Sequence, residues 1–223
     1  MLLQKIVQAH HILVVAGVFR DQGVDVRCGV GVEGFEGSSR VEALKLQDGS
    51  RVPADLVLVG IGASPATEWL EGSGLELGDG VICDASCATN APGVVAAGDV
   101  ARLKHPTRGE STRVEHWTNA VEQSDHAARR LLEGPSVGAY DRVPYMWTDQ
   151  FDLRIQMAGE MRPGDEMHIC LGTLEEGRCM VLFGREGRLT GAVAFKRPRQ
   201  LHEFSDLIGQ GASWEQAMAH AKG

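Results

Sequence analysis

The fold of this chain is decided by the stretch Thr89-Asn-Ala-Pro-Gly-Val-Val-Ala-Ala-Gly-Asp99. Four small or branched apolar residues, Val94 to Ala97, predict a short buried strand that ends at Gly98-Asp99. Open α/β sheets bind ligands at the carboxyl edge of their strands, where glycine lets a ligand approach the backbone. A carboxylate there can accept hydrogen bonds from sugar hydroxyls, although an aspartate in this position also closes ordinary turns. The stretch therefore indicates an α/β fold and makes Asp99 a candidate for binding a polyol.

The composition indicates a folded protein with a sizeable core. The chain has 223 residues, of which 43% are hydrophobic, so it can bury the core of one or two domains. Its formal net charge of −8 argues against a general nucleic-acid or membrane-surface binder. The five cysteines are scattered and form no Cys-x-x-Cys pair, which favours reduced thiols and a cytoplasmic location. Cys83 and Cys87 are four residues apart, and both a redox dithiol and a pair of structural thiols are open for them.

The first part of the chain predicts a helix and a small β-meander. The apolar run from Ile12 to Phe19 is too short to span a bilayer and lacks a secretory cleavage site, so it predicts a core helix. The adjacent pair His10-His11 would point about 100° apart on a helix, so we expect no shared metal there. Alternating patterns over Val24 to Val32 and Val41 to Leu46 predict strands, and Asp48-Gly49 predicts a hairpin turn.

A different pattern follows in the next segment. Leu56 to Val59 is apolar throughout, which predicts a strand covered on both faces. Gly60-Ile-Gly62-Ala63 lies at the end of that strand, where the backbone could approach a nucleotide. Because the third glycine of a dinucleotide-binding turn is absent, the segment by itself indicates only a crossing between two parts of the protein.

A polar loop from Arg102 to Arg113 is predicted to lead into a helix. The helical pattern begins at about Asn119 and ends at Gly134-Pro135. Its predicted apolar face contains Ala120, Val121, Ala127, Ala128, Leu131 and Leu132. The start of such a helix has unpaired backbone N–H groups and a partial positive charge, which could bind an electron-rich ring edge.

The chain after Tyr140 to Pro144 predicts a separate α+β module. Glu186-Gly187 indicates a hairpin between its last two strands, and Ser213-Trp-Glu-Gln216 has the spacing of a capping box. Trp69, Trp147 and Trp214 are interpreted as packing residues. The predicted strands are Tyr145 to Gln150, Leu153 to Ala158, Ile169 to Leu174, Cys179 to Arg185 and Leu189 to Phe195, and two helices follow them.

From Gln22 to its end, the sequence resembles the FAD-dependent NAD(P)H:ferredoxin reductases that feed oxygenases and cytochromes P450. Several motifs carry the resemblance in the order seen in that family: Gly60-Ile-Gly-Ala-Ser-Pro65, Ala96-Ala-Gly-Asp99, Glu115-His-Trp117 with Gln123, and Trp147-Thr-Asp-Gln-Phe-Asp152 followed by Ile155-Gln156. Each motif alone is modest, and their combination in this order is specific.

The resemblance implies cofactor-binding positions for FAD and NAD(P)H. The segment Gly98-Asp99-Val100 matches the one that contacts the ribityl and phosphate region of the flavin. Glu115-His116-Trp117 matches the segment beside the isoalloxazine, with its tryptophan near the face where nicotinamide arrives. Gly60, Gly62 and Ala63 match the crossover beside the nicotinamide cofactor. No catalytic acid, nucleophile or metal ligand is implied.

The same resemblance implies an activity, partners and a domain plan. The implied activity is hydride transfer from NAD(P)H to flavin N5, followed by transfer of single electrons to a ferredoxin-type iron–sulfur protein. The implied fold is α/β: a partial two-domain FAD/NAD(P)-binding Rossmann-like fold followed by an α+β reductase domain. Residues 1–59 would be a remnant of the NAD(P) domain, and 60–143 the carboxyl-terminal part of the FAD domain. Residues 144–223 would be an interface domain that helps to form a homodimer or the edge of the electron-carrier site.

The sequence departs from that family in one respect. Family members have two strand-turn-helix units in which a Gly-x-Gly-x-x-Gly turn joins the strand to the helix, and neither strand-turn-helix unit occurs here. Both would precede Met1, so the chain resembles a truncated, carboxyl-terminal portion whose FAD affinity we expect to be poor. A non-catalytic dimerisation or partner-binding fragment is therefore a second interpretation, and a rubredoxin reductase or nitrite reductase subunit of the same superfamily is a third.

The segment Arg185 to Arg199 is rich in basic residues, which leaves two interpretations open. Five cations there face one acid, Glu186. Such a strip could dock an acidic ferredoxin by electrostatic steering. It could equally be an ordinary solvated hairpin followed by the start of a helix.

Overall fold

A computed structural model describes residues 16–104 and 111–222. The chain divides into two compact units, Met1–Gly62 and Ala63–Gly223. The pair His10-His11 and the first residues of the predicted apolar helix lie outside the described residues, while residues 16–21 are helical. No helix in the described ranges is long and apolar enough to cross a bilayer. The domain boundaries predicted after residues 59 and 143 stay predictions.

The first unit contains an antiparallel sheet of three strands, β1 (Val32–Glu36), β2 (Ala43–Leu46) and β3 (Arg51–Pro53). The predicted turn at Asp48-Gly49 is confirmed: it joins β2 to β3, and the Ser50 amide donates to the Asp48 side chain at 2.8 Å. The strand predicted over residues 24–32 is wrong for 24–31, which are irregular. Gly29 has a φ of +75° there, a left-handed conformation that interrupts a strand.

The apolar segment Leu56 to Val59 forms no strand, so that prediction is wrong. Leu56 is 89% exposed and Leu58 is 96% exposed. A strand buried on both faces needs neighbours that supply hydrogen bonds and cover its side chains. Within the described ranges, no strand pairs with this segment. The apolar side chains of this irregular segment are therefore largely exposed.

The second unit begins with a sheet of four short strands, in the order β4 (Leu77–Gly78), β5 (Gly80–Cys83), β6 (Ala101–Lys104) and β7 (Ser111–Thr112). The polar loop predicted from Arg102 to Arg113 is wrong where β6 and β7 lie, and residues 105–110 are outside the described ranges. Ala101 and Leu103 are buried while Lys104 is exposed. This alternation is typical of a strand, and the charged residues between the buried ones concealed it.

Val94 to Ala97 is not a strand, which corrects the prediction for the central stretch. Among the described residues, Val95 makes one isolated bridge to Ala88. The Val94 carbonyl is used within its own loop, where it accepts from the amide and the hydroxyl of Thr89, each at 3.0 Å. One turn of 3₁₀ helix follows at Gly98–Val100, and parallel pairing with β5 begins at Ala101. Asp99 therefore precedes the amino end of β6 rather than following a strand.

Helix α1 (Trp117–Glu133) ends at Gly134, which has a φ of +73°, so the predicted end is confirmed. The predicted apolar face is confirmed at Ala127, which is buried, and is wrong at Val121, Leu131 and Leu132, which are exposed. The buried positions are Asn119, Gln123 and Ala127. Side-chain amides can be buried when they are hydrogen-bonded, and these two bind groups in neighbouring segments.

The predicted α+β elements after residue 144 are confirmed. They form an antiparallel sheet of five strands: β8 (Tyr145–Gln150), β9 (Leu153–Gly159), β10 (Glu166–Thr173), β11 (Arg178–Arg185) and β12 (Arg188–Phe195). Their order in the sheet is β10-β11-β12-β9-β8. Helices α2 (Pro198–Gly209) and α3 (Trp214–His220) pack with it around a core that includes Met180, Leu182 and Phe204. The hairpin at Glu186-Gly187 and the capping box at Ser213 are also present.

Candidate functional site

Asp99 lies in a tight turn whose backbone is held from both sides. The preceding amide, that of Gly98, donates to Gln123 Oε1 at 2.6 Å. The Asp99 carbonyl accepts from Arg113 Nη1 at 3.0 Å. Gly98 has a φ of +74°, so glycine is favoured there by conformation, while a Cβ would only come into ordinary contact with Ala120. The turn is fixed, and the Asp99 residue itself is exposed.

The Arg113 guanidinium connects this turn to two other segments. Nη1 also donates to Glu115 Oε1 at 2.5 Å, and Nη2 donates to Asp79 Oδ1 at 3.1 Å. Asp79 in turn accepts from Arg102 at 3.0 Å. The Arg113 side chain is largely buried, with 11% of it exposed. Two predicted cofactor residues, Asp99 and Glu115, are thus brought together by one residue that the sequence analysis did not single out.

The start of α1 lies directly after Glu115. His116 is its N-cap residue, and among the described residues no side chain caps the helix. The His116 Nδ1 atom is buried and has no hydrogen-bond partner in the described chain. Burial lowers the pKa of His116, while the nearby Asp99 and Glu115 charges oppose that change. The backbone N–H groups of the first turn and a neutral imidazole therefore lie beside the Asp99 turn.

Two tryptophans form an aromatic surface at this helix start. Trp117 is 73% exposed, and its ring contacts that of Trp147 edge to face with centroids 6.4 Å apart. Tyr145 lies 6.0 Å from Trp147 on the same strand, and the Arg154 guanidinium lies 5.8 Å from the Trp147 ring. Trp147 is therefore not simply the packing residue that was expected, because it contributes to the same surface as Trp117.

The other two tryptophans differ from each other. Trp214 packs against the core of the last sheet, as expected, and its ring occupies the space where a Cβ on Gly184 would lie. Trp69, in contrast, is exposed, so its interpretation as a packing residue is wrong.

Polar residues on the buried face of α1 attach three neighbouring segments to the helix. Asn119 Nδ2 donates to the Val114 carbonyl at 3.1 Å, and Asn119 Oδ1 accepts from the Tyr140 hydroxyl at 3.1 Å. The Thr118 hydroxyl donates to the Tyr145 carbonyl, at the start of the strand that carries Trp147. The spacing of Asn119 and Gln123, four residues apart on one helical face, was the available signal for this role.

The three predicted nicotinamide-side residues lie at the junction of the two units. Gly60 and Gly62 end the first unit and Ala63 opens the second, in an exposed and irregular segment. Gly62 has a φ of +101°, a conformation that favours glycine. A Cβ on either glycine would meet nothing within 4 Å, so the backbone of this segment is open to approach.

In the part of the chain that the structure describes, the cysteines and the potential metal ligands give no competing site. Cys83 and Cys87 are free and buried, and burial raises their pKa values to about 11 and about 12. Thiols with such pKa values are poor nucleophiles, which favours the structural interpretation over a redox dithiol. Within the described ranges, no group of three or more His, Cys, Asp or Glu side chains is arranged to hold a metal.

The basic residues between Arg185 and Arg199 do not form a continuous strip. Arg185 makes two hydrogen bonds to the buried Asp165, each at 2.7 Å, and Arg188 donates to the Gly211 carbonyl at 3.1 Å. Arg199 pairs with Glu203 at the other end of β12. The eight residues of β12 separate the two groups by about 25 Å. Local structural roles therefore account for the first two arginines.

Comparisons with known proteins match two family models along the chain. Residues 2–124 match the family model described as pyridine nucleotide-disulphide oxidoreductase, and residues 145–222 match the one described as reductase C-terminal. The chlorobenzene dioxygenase ferredoxin reductase component of Cupriavidus sp. strain PS12 is 36% identical over 203 residues, covering 90% of this chain and 48% of that protein. Putidaredoxin reductase of Pseudomonas putida is 31% identical over 192 residues, covering 85% and 45%.

A solved structure supports the same likeness in three dimensions. The covalent putidaredoxin reductase–putidaredoxin complex aligns with a TM-score of 0.85 at 28% identity, covering 92% of this chain and 49% of the other. The chain thus spans about half the length of the curated relatives that it matches.

Proposed function

The chain belongs to the pyridine nucleotide-disulphide oxidoreductase family, and we propose that it functions in passing electrons from NAD(P)H through FAD to a ferredoxin-type iron–sulfur protein. One observation carries the proposal: the Asp99 turn is held beside the start of α1, because Arg113 binds both the Asp99 carbonyl and Glu115 while Gln123 binds the Gly98 amide. The ferredoxin reductase names of its relatives give the reaction class.

The residues at the start of α1 fit a flavin. The exposed Asp99 carboxylate can accept hydrogen bonds from ribityl hydroxyls, and the unpaired N–H groups of the first helical turn suit the electron-rich edge of the ring. Trp117 and Trp147 offer an exposed apolar surface to an aromatic system. FAD, when bound, supplies the electron-transfer chemistry, while the protein supplies binding, orientation and exclusion of water.

The proposed roles follow from these positions. Gly98-Asp99-Val100 would hold the ribityl and phosphate region, and Glu115-His116-Trp117 would lie beside the isoalloxazine. Gly60, Gly62 and Ala63 would let the nicotinamide cofactor approach the backbone. We assign no residue as a proton donor or nucleophile in the reaction.

Partner, assembly and compartment are part of the same proposal. The partner would be a ferredoxin-type iron–sulfur protein, as in the reductase–putidaredoxin complex that the fold resembles. Residues 144–223 would form a homodimer interface, which the sedimentation mass of the purified chain tests. The five free cysteines, three of them buried, are compatible with a reducing cytoplasm.

A non-catalytic role is the second candidate. It is favoured by the large exposed apolar side chains in both units, such as Leu58 and Leu132, since such groups mark surfaces that associate with other protein. In that case the purified 223-residue chain would form a stable complex with itself or with another protein. It would also bind no flavin when the amino-terminal half of a relative is joined to it.

A chimera tests the proposed function. The amino-terminal half of a curated relative, which contributes the two glycine-rich units, is joined ahead of Gln22. We expect the chimera to retain FAD through gel filtration and to oxidise NADH or NADPH with ferricyanide as acceptor, because helix starts at glycine-rich turns bind the phosphates that the chain alone cannot hold. The unfused chain, as control, should retain little or no flavin. A folded chimera that binds no FAD would overturn the proposal.

A further inference from the structure

We propose that Arg113 is the positioning residue that holds Asp99 and Glu115 in place for the flavin, a role that rests on the proposed function. Its guanidinium does not need to touch the cofactor. It acts through the backbone of the Asp99 turn and through the Glu115 carboxylate, both of which it contacts directly.

The contacts of Arg113 join its own segment, which contains Glu115, to two segments that lie 14 and 34 residues earlier in the sequence. Nη1 reaches the Asp99 carbonyl at 3.0 Å and Glu115 Oε1 at 2.5 Å, while Nη2 reaches Asp79 Oδ1 at 3.1 Å. A guanidinium presents several N–H donors in one rigid plane, so a single side chain can satisfy acceptors from three directions. A lysine keeps the charge but has no such planar fork, and it should hold fewer of these acceptors at once.

Arg113 is itself anchored by close packing. The turn at Gly80, with a φ of +106°, approaches so closely that a Cβ there would lie 2.4 Å from the Val100 carbonyl and 3.1 Å from Arg113 Cδ. Only 11% of the Arg113 side chain is exposed, whereas 54% of the Asp79 side chain is. The guanidinium is therefore fixed between the β4–β5 turn and the Asp99 turn, unlike a mobile surface ion pair.

Arg102 provides a matched control. It binds the same Asp79 carboxylate, through Oδ2 at 3.0 Å, but from β6, and its side chain is more exposed than that of Arg113. Loss of Arg102 thus removes one arginine from the same ion-pair network while leaving the contacts of Arg113 to Asp99 and Glu115 in place.

Hydrogen exchange of the full 223-residue chain tests the positioning role without any flavin. In Arg113→Ala, amide exchange at residues 98–101 and 115–117 should rise by about tenfold or more, because charge-assisted hydrogen bonds are lost. Exchange in α2 should not change. Arg102→Ala should leave both segments near the wild-type rate, and Arg113→Lys should give an intermediate rate. Equal exchange in Arg113→Ala and wild type would overturn the positioning role.

A double-mutant cycle in the chimera tests whether this role serves the flavin. Arg113→Ala should weaken FAD binding by roughly tenfold or more, and Arg102→Ala by less than about fivefold. In an Asp99→Ala background, Arg113→Ala should weaken binding much less, since residues that act through one another are not additive. Full additivity would overturn the proposed coupling. A wild-type chimera without FAD would instead overturn the proposed function, whatever the exchange data show for the contacts of Arg113.

Discussion

The sheet β8–β12 and helix α1 belong to the same unit, yet they bury different kinds of side chain. The sheet and its helices enclose Met180, Leu182 and Phe204, each almost completely inaccessible to solvent. Helix α1 buries two amides, Asn119 and Gln123, and leaves Leu132 86% exposed. The sheet buries apolar side chains, as an ordinary hydrophobic core does. Helix α1 instead buries polar side chains and leaves apolar ones exposed.

The difference separates what stabilises the molecule from what shapes its candidate site. Burying a large apolar side chain contributes about 1.5–3 kcal/mol, while a typical hydrogen bond contributes about 0.5–1.5 kcal/mol net. Stability should therefore be concentrated in the sheet. The hydrogen bonds of α1 contribute less stability, but because they are directional they fix the Asp99 turn and the helix start relative to each other.

The largest effect is expected from a substitution in the apolar core of the β8–β12 sheet. Phe204→Ala should lower the free energy of unfolding by about 3–5 kcal/mol, because it leaves a cavity beneath α2 that the packed sheet cannot fill. Leu132→Ala should change it by less than about 0.5 kcal/mol, because that side chain is exposed. Urea unfolding followed by circular dichroism measures both values. A cost for Leu132→Ala as large as that for Phe204→Ala would mean that α1 is covered in solution.

The next largest effect is expected on FAD binding at the start of α1, where the polar contacts hold the Asp99 turn. In the chimera, Asp99→Ala should weaken FAD binding by roughly ten- to a hundredfold, since a hydrogen bond to a charged group contributes about 1.5–3 kcal/mol. Asp125→Ala, which removes an exposed carboxylate from α1, is the control and should leave the affinity unchanged. Equilibrium dialysis with FAD gives both constants. If Asp99→Ala binds FAD as tightly as the unmodified chimera, Asp99 is not a flavin ligand.

The β8–β12 sheet and its helices were also easier to predict from the sequence than the surroundings of α1. Its strands follow a local pattern, with runs of β-branched and apolar residues separated by turn residues such as Glu186-Gly187, and its last helix has a capping box at Ser213. Leu56 to Val59 has the same kind of pattern and yet forms no strand, because pairing depends on neighbours that the described residues do not supply. A local signal predicts a strand only where the partners exist.

The polar region was predictable in its motifs but not in its contacts. The sequence indicates Asp99 and Trp117, yet the roles of Arg113 and Trp147 depend on contacts between segments that are distant in sequence. The buried face of α1 was misassigned because hydrophobicity alone ranks Leu132 above Gln123 as a core residue. The buried side of α1 is the side whose amide side chains bind backbone groups of neighbouring segments. Which backbone groups need a partner is not known until the neighbouring segments are known.

The smallest expected effect is a pH dependence from His116, at the boundary of the polar region. Burial lowers its pKa below the ordinary value of 6.5, so the unfolded chain takes up a proton at a higher pH than the folded chain. The stability that depends on the neutral imidazole is therefore fully present above pH 6.5 and is lost as the pH falls through the folded-state pKa.

His116→Phe removes this titration and should flatten the fall in unfolding free energy between about pH 7.5 and about pH 5.5, by no more than about 1.4 kcal/mol per pH unit. His168→Phe, at an exposed position on β10, is the control for replacing a histidine by a phenylalanine. A wild-type slope in His116→Phe would mean that this imidazole is as hydrated in solution as an exposed one.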